Sequence, residues 1–376
     1  MILLPTMLSQ ALVGWTIEVD NAFELRMTHR TAAMRKRGEV LQGPWLVSFA
    51  LYVHCIRHLT PQGVTLSELE GRARVLGPVS GLERWGYVTI SRIPRQRERR
   101  VDPNLAVVRP TAAGLQAQSV WARLPDEVDA RWKDRYGDLT VSRLREALIA
   151  VVARLDTESP DYLPGVRGNA NLLHLLPGDE RLPTRWRTPR PVRSEPPTNP
   201  TSLPLYALVS KVLVAFALEY ERDAALSLAL GANLIRVLDD LGVPVSELPR
   251  LVGASKEAIA HSLTVSKRID IVIVDKAPGK RTSEARLTPR GRVAQQRHHD
   301  LVNDIERRWA TRFGGEVVQS LRSSLEEIVV ASDLADSPLA EAYGPLPGTW
   351  RAEVPTPETL PHFPMLVRGG GYPDGA

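Results

Sequence analysis

The chain contains a single cysteine, Cys55, in 376 residues. That excludes an intrachain disulfide framework and any zinc site built on several thiolates, and it fits a reducing compartment. Long apolar runs are missing too: the cleanest, residues 147–153, falls far short of the roughly 20 residues that cross a bilayer. The opening MILLPTMLSQ has no basic region and no sustained apolar stretch. No secretory signal is therefore expected, and the expected location is the cytoplasm, away from membranes. Catalytic arrangements are equally scarce. No Ser-His-Asp order, paired-carboxylate setting or Walker lysine stands out, and GGGYPDG near the end lacks the strand and helix that a phosphate-binding loop requires. His54 with His58, and His298 with His299, would each need further ligands to hold a metal. The expectation is a protein that is not an enzyme and uses no cofactor or metal.

What is present suits a soluble fold with a substantial core: 43% hydrophobic and 24% charged residues exclude a disordered or membrane class. A chain of this length favours two domains over one. The net charge of +5 favours an anionic partner, but its placement has to decide whether that partner is nucleic acid.

The placement follows from an internal repeat. RWKDRYG at residues 131–137 returns as RWATRFG at 308–314, so Trp132 and Trp309 are 177 residues apart. Gly114 and Gly291, Leu144 and Leu321, and Leu148 and Leu325 share that offset. Upstream, GVTLSEL at 63–69 matches GVPVSEL at 242–248 with an offset of 179. SQALVGWTIEVD from Ser9 resembles SKVLVAFALEYE from Ser210 with an offset of 201. The first copy thus carries an insert of about 22 residues at about 22–44, with His29, Arg30, Arg35, Lys36 and Arg37 in it. The resulting division is residues 1–155 for the first unit, 156–203 for a Pro-rich linker, 204–332 for the second unit, and 333–376 for a Pro/Gly-rich extension expected to pack on the second unit. Proline-dense stretches such as PRPVRSEPPTNP sustain neither a helix nor a central strand.

Apolar spacing in the second copy predicts helices over 205–225 and 228–241, a short helix over 245–251 with Ser246 as cap, and Gly253 as its stop. A further helix is predicted from Ala254 or Ser255 to about Lys267. RIDIVIVD at 268–275 reads as a strand, KAPGKRTSE as a turn, EARLT as the returning strand, and Pro289 as the first turn of a long helix. Helix-turn-helix, β-hairpin and long helix in that order make a winged helix. The predicted fold is therefore mainly α with small β-hairpin wings, in two winged helix-turn-helix units that form an intrachain pseudo-dimer.

The hydrophobic strand at 269–275, the charged segment at 276–284 and the LTPRG helix start at 287–291 resemble the MarR family of regulators. The first copy parallels them with WGYVTI at 85–90, RIPRQRERR at 92–100 and RPTAAG at 109–114. The resemblance covers about residues 8–155 and 203–332. It implies that the first and the last two helices of each unit form a dimerisation layer, and that the partner is double-stranded DNA. Against the family pattern, LGPVSGLERWG leaves the first copy only about two turns of recognition helix, over 78–85.

In a winged helix the second helix of the turn motif meets base edges and the wing meets the backbone or minor groove. The candidate DNA contacts in the second copy are Ser255, Lys256, Glu257, His261, Ser262 and Lys267 on the helix, with Lys276, Lys280, Arg281, Arg286 and Arg290 around the wing. In the first copy they are Arg72, Arg74, Ser80 and Arg84, with Arg92, Arg95, Arg97, Arg99 and Arg100 in the wing. Those five arginines face the single Glu98, a density that suits phosphates or a minor-groove arginine. Cys55 aligns with Leu234, which favours a buried structural thiol over a redox sensor, and Trp132 and Trp309 read as packing residues. The expected function is a DNA-binding transcriptional regulator, a repressor by preference. A small-molecule effector is expected in the cleft between the helical layer and the winged units, with the chain a monomer acting as a pseudo-dimer or a further homodimer. The alternative is a protein-interaction scaffold whose winged helices no longer read DNA, which Pro78 and Gly81 favour.

Overall fold

The computed structural model describes residues 2–27, 53–73, 79–91, 106–155, 199–224, 226–254, 256–276, 282–329, 337–343 and 346–347. Helix α1 (Leu4–Glu24) is buried from Leu4 to Phe23. A helix buried around its whole circumference lies at the centre of a bundle. Its counterpart in the second half, α8 (Leu205–Asp223), is buried almost as completely, and the two pack on each other with Trp15 stacked on Tyr206 at 4.3 Å.

After α1 the first half continues as α2 (Val53–Ile56), β1 (Val64–Thr65), α3 (Leu66–Ala73), α4 (Val79–Arg84), β2 (Val88–Ser91), β3 (Val107–Pro110), α5 (Ala112–Trp121), α6 (Leu124–Tyr136) and α7 (Asp138–Val152). The second half, after α8, runs α9 (Leu228–Val237), β4 (Val243–Pro244), α10 (Leu248–Val252), α11 (Lys256–Arg268), β5 (Val272–Lys276), β6 (Ser283–Leu287), α12 (Pro289–Phe313) and α13 (Gly315–Val329), followed by α14 (Ala340–Tyr343). Each half forms a three-stranded antiparallel sheet with the last strand in the middle, ordered β1-β3-β2 and β4-β6-β5. Val64 pairs with Val108 and Ile90 with Val108; Val243 pairs with Ala285 and Val274 with Ala285. The chain is thus mainly helical with two small antiparallel sheets, and among the described residues no helix is long and apolar enough to cross a membrane.

Helices α1, α8, α7 and α13 share one core, with α7 against α13 and α8, and α13 against α1. Leu234, Ile235, Leu248, Val252, Ile259, Leu263, Ile271 and Ala285 form a separate, smaller core under α9 to α11 and the second sheet.

The repeated sequence blocks have physical causes. Glu18 on α1 accepts hydrogen bonds from Trp132 Nε1 (3.0 Å) and Arg135 (2.6 Å), with Arg131 at 3.4 Å. Glu219, its counterpart on α8, accepts from Trp309 Nε1 (3.0 Å), with Arg312 at 3.6 Å and Arg308 at 3.8 Å. The Arg-Trp-x-x-Arg pattern therefore clasps one carboxylate in each half. Thr111 and Thr288 cap α5 and α12 by accepting from the backbone N–H of Gly114 and Gly291. A Cβ on Gly114 would lie 2.0 Å from the Tyr87 carbonyl oxygen, and one on Gly291 2.1 Å from that of Ile271. Only glycine lets the sheet and the helix approach this closely. Gln118 and Gln295, also 177 apart, donate to the carbonyls that end α2 and α9: Ile56 and Leu59 in one half, Ile235 and Leu238 in the other.

The copies also differ. Helix α12 is continuous over 25 residues, whereas the matching stretch is split into α5 and α6. Pro125, where the second copy has Val302, cannot donate to the preceding turn and crowds it, so the helix breaks and restarts with Pro125 in its first turn. Helix α3 starts directly after β1 because Thr65 Oγ1 accepts from the backbone of Glu68. The matching residue is Pro244, which has no hydroxyl, so α10 begins only at Leu248 with Glu247 as its N-cap. Ser246 is therefore not the cap. Helix α9 stops at Val237 rather than Leu241, since the Asp239 side chain accepts from the N–H groups of Leu241 and Gly242 and closes a turn. Residues 268–271 end α11 and turn through Asp270 at φ 56°, so the predicted strand is confined to β5. Cys55 is buried, as is Leu234 opposite it in the repeat.

Candidate nucleic-acid interface

Gly253 ends α10 in the left-handed region at φ 73°, its N–H donating to the Pro249 carbonyl at 2.9 Å. That geometry turns the chain sharply into α11. Ala258, Ile259, Leu263 and Ser266 anchor α11 to the smaller core, which leaves Lys256, Ala260, Thr264, Lys267 and Arg268 facing solvent. Of the predicted contacts, Lys256 and Lys267 share this open face, while His261 and Ser262 are half-buried. Arg268 belongs to the same face but was hidden in the sequence by its assignment to a strand. Glu257 lies in α11, but its side chain, like Ser255, lies outside the described residues.

The first half presents less helix. Helix α4 has six residues, inserts Val79 and Leu82 into the core, and carries Ser80 and Arg84, whose side chains lie outside the described residues. Arg72 sits on α3, not on the second helix of the pair, and is held by Glu68 one turn away at 2.6 Å. Arg74 lies outside the described residues.

The hairpins are described at their bases. Residues 92–105, with Arg92, Arg95, Arg97, Arg99 and Arg100, lie outside the described residues, as do Lys280 and Arg281. At the base of the first hairpin Arg109, which the sequence reading missed, is exposed and donates to Ser91 Oγ at 2.9 Å. At the second, Lys276 and Arg290 are exposed. Arg286 is instead paired with Asp275 across the strands at 3.4 Å, so it is not an unengaged cation. Asp275 and Glu284 balance Lys276 and Arg286 along β5 and β6, which leaves any cationic excess to the connecting segment. Arg236 faces inward: burial lowers its pKa to about 10, and it donates to the Leu251 carbonyl, tying α9 to α10. The insert begins inside α1, which runs to Glu24, and residues 28–52, with His29, Arg30, Arg35, Lys36 and Arg37, lie outside the described residues.

A cavity of about 750 Å³ opens where α5 breaks into α6. Its walls include Ile56, Trp121 and Asp129 of the first half and Leu203 to Tyr206 of the second, with Arg57, Lys133 and Arg145 around it. Burial raises the pKa of Asp129, opposed by the hydrogen bond from Trp15 Nε1 (2.9 Å) and by the Leu205 N–H. Arg145 donates to the Thr201 and Leu203 carbonyls, fixing the chain that enters α8. The matching junction in the second half encloses about 190 Å³, with Ile235 and His298 in place of Ile56 and Trp121. There Tyr220 and His298 share a hydrogen bond of 2.9 Å, and burial lowers the His298 pKa to about 4 while raising that of Tyr220.

Of the final extension, residues 337–343 and 346–347 are described. Residues 337–343 pack on α1 and α6 of the first half, while Ser337 donates to the Val329 carbonyl of α13 in the second at 2.9 Å. A residue pair 206 apart in the chain, Arg135 and Glu341, makes the contact with α6, and the extension's lack of helical periodicity concealed it. Comparison with known proteins finds no matching family model, no matching curated protein and no matching solved structure.

Proposed function

We propose that the chain is a DNA-binding transcriptional regulator made of two fused winged helix-turn-helix units, similar to the MarR family, that act as an intrachain pseudo-dimer. The observation that carries the reading is the duplicated order of helix pair, three-stranded sheet and capped helix after the last strand, with a cation-rich connection between the same two strands in each half. Support also comes from the lysines and arginine on the open face of α11. On this reading α1, α8, α7 and α13 replace the interface of a dimer. Helix α11 reads the major groove, and the shorter α4 leaves the first unit to backbone contacts, so the operator is asymmetric. An effector would occupy the cavity at the α5–α6 break, whose volume lies within the range of about 300–1,000 Å³ common for small ligands.

The test is fluorescence anisotropy with DNA from upstream of its own gene at several salt concentrations. Affinity that falls steeply with salt, and falls further when Arg95, Arg97 and Arg99 become Ala, supports the regulator. The second reading, a protein-interaction scaffold, draws on the charge balance of β5 and β6 and the six-residue α4. It gains if no fragment binds at low salt.

A further inference from the structure

Residues 337–343 follow the last long helix of the second half, yet they sit on the first. Leu339, Ala342 and Tyr343 are at most 2% exposed. A Cβ added to Gly14 of α1 would stand 3.0 Å from Leu339 and 3.6 Å from Tyr343. The matching residue of α8 is Ala215, so the glycine is found in the helix that carries this strap. Polar ties flank the apolar plug: Tyr343 donates to the Gln10 carbonyl at 3.4 Å, Arg135 of α6 to Glu341 at 2.9 Å, and Tyr136 to the Pro338 carbonyl at 3.4 Å.

Of these two helices α6 lines the cavity, and α1 braces that wall from behind. Trp15, next to Gly14, donates to Asp129 and stacks on Tyr206, and both of those residues line the cavity. Lys133 lines it as well, two positions before Arg135. Arg135 divides its donors between Glu18 of α1 and Glu341 of the strap. Any change in the spacing of α1 and α6 is felt by both strap and cavity.

We propose that residues 337–343 form a latch, contributed by the second half, that sets the shape of the cavity in the first. Seated, the strap holds α1 and α6 together through Gly14, Arg135 and Tyr136. Released, it lets α6 move, and the cavity wall moves with it. Because the two events share α6, filling the cavity and seating the strap are linked reciprocally. A contact of three apolar side chains is of the size that opens locally without global unfolding. The proposal stands on this geometry and does not require DNA binding.

The test compares hydrogen exchange in the full chain with that of Leu339→Asp, which places a charge in the apolar plug, and Gly14→Leu, which fills its seat. Glu341→Gln, at an exposed residue, is the mild third variant. Cavity access is read from maleimide labelling of Ser142→Cys in a Cys55→Ala background. The latch predicts exchange across residues 124–136 about tenfold faster in the first two variants and about twofold faster in the third. Exchange across residues 289–313 stays unchanged, and labelling of position 142 accelerates several-fold with Leu339→Asp. Unchanged exchange across 124–136 overturns the proposal, as does equal acceleration across 289–313, which would mean that the strap adds only general stability. Should the first two variants fail to fold, the Glu341→Gln result decides by the same criteria.

Discussion

Removing Glu18 should destabilise the protein far more than removing Glu219, although the two carboxylates occupy matching positions and meet the same residue types. The Glu18 side chain is 8% exposed and accepts a 2.6 Å bond from Arg135, itself 19% exposed. It also accepts from Trp132, which is 1% exposed. Glu18→Ala therefore leaves a half-buried guanidinium short of its partner, at about 1.5–3 kcal/mol, and a buried indole N–H unsatisfied, at about 1–3 kcal/mol. The sum, about 2.5–6 kcal/mol, brackets the usual cost of about 3–5 kcal/mol for removing one side of a buried pair. Glu219→Ala also strands an indole, Trp309, but its arginines stand at 3.6 and 3.8 Å and are 37% and 50% exposed. Pairs that open are worth roughly 0–1 kcal/mol each, so the expected cost is the indole's about 1–3 kcal/mol with little added, and the excess at Glu18 is the about 1.5–3 kcal/mol of its Arg135 bond. Urea denaturation of both variants, with Glu18→Gln and Glu219→Gln alongside, measures the difference. Glu18→Gln should still cost at least about 1 kcal/mol because the charge is lost, while Glu219→Gln should stay within about 1 kcal/mol of wild type. Equal losses for the two alanine variants, or a larger loss at Glu219, would refute the reasoning.

Other consequences follow from single positions. Gly291→Ala forces a Cβ onto the Ile271 carbonyl oxygen and should destabilise the second half by about 1–3 kcal/mol, read as earlier loss of amide protection in β5 and β6 than in α7. Burial holds the His298 pKa at about 4, below its ordinary 6.5. The unfolded chain then binds the extra proton first, so stability falls as pH drops from about 6.5 towards about 4, by roughly 3 kcal/mol in all. Urea midpoints across this window should lose that slope in His298→Leu; an unchanged slope places the acid sensitivity elsewhere. Gln118→Ala removes the donor that ends α2 and should cost about 1–2 kcal/mol, with exchange rising over residues 53–59 before it rises in α5.

The long elements were legible because each carries its own local signal. The apolar spacing of α8 and α11, Gly253 and Pro289 all act within a few residues, and the repeat let one half check the other. Strands β1 and β4 have two residues each, too few for alternation to register, so each sheet has one more strand than the hairpin reading supplied. The break at Pro125 was visible in principle, since Val302 occupies the same place in the other copy. Glu18 was not, because its clasp joins residues 114 and 117 apart, and nothing local distinguishes a buried glutamate from a solvated one. The strap was hidden for a similar reason: a four-residue helix carries no periodicity, and its seat is a single glycine far upstream. Helix α11 was the most legible part of the candidate interface, while Arg72 and Arg286 have carboxylate partners that charge counting alone does not reveal.

The most direct test of the account is the salt dependence of DNA affinity in Lys256→Ala/Lys267→Ala against wild type, measured on a fragment the wild type binds. Both lysines are exposed on one helix face, so the substitutions should spare the fold. If they neutralise phosphates, the slope of log affinity against log salt should fall by about 0.9 for each lysine, about 1.8 in total. An affinity and a slope both equal to wild type would contradict the assignment of α11 as the helix that meets DNA.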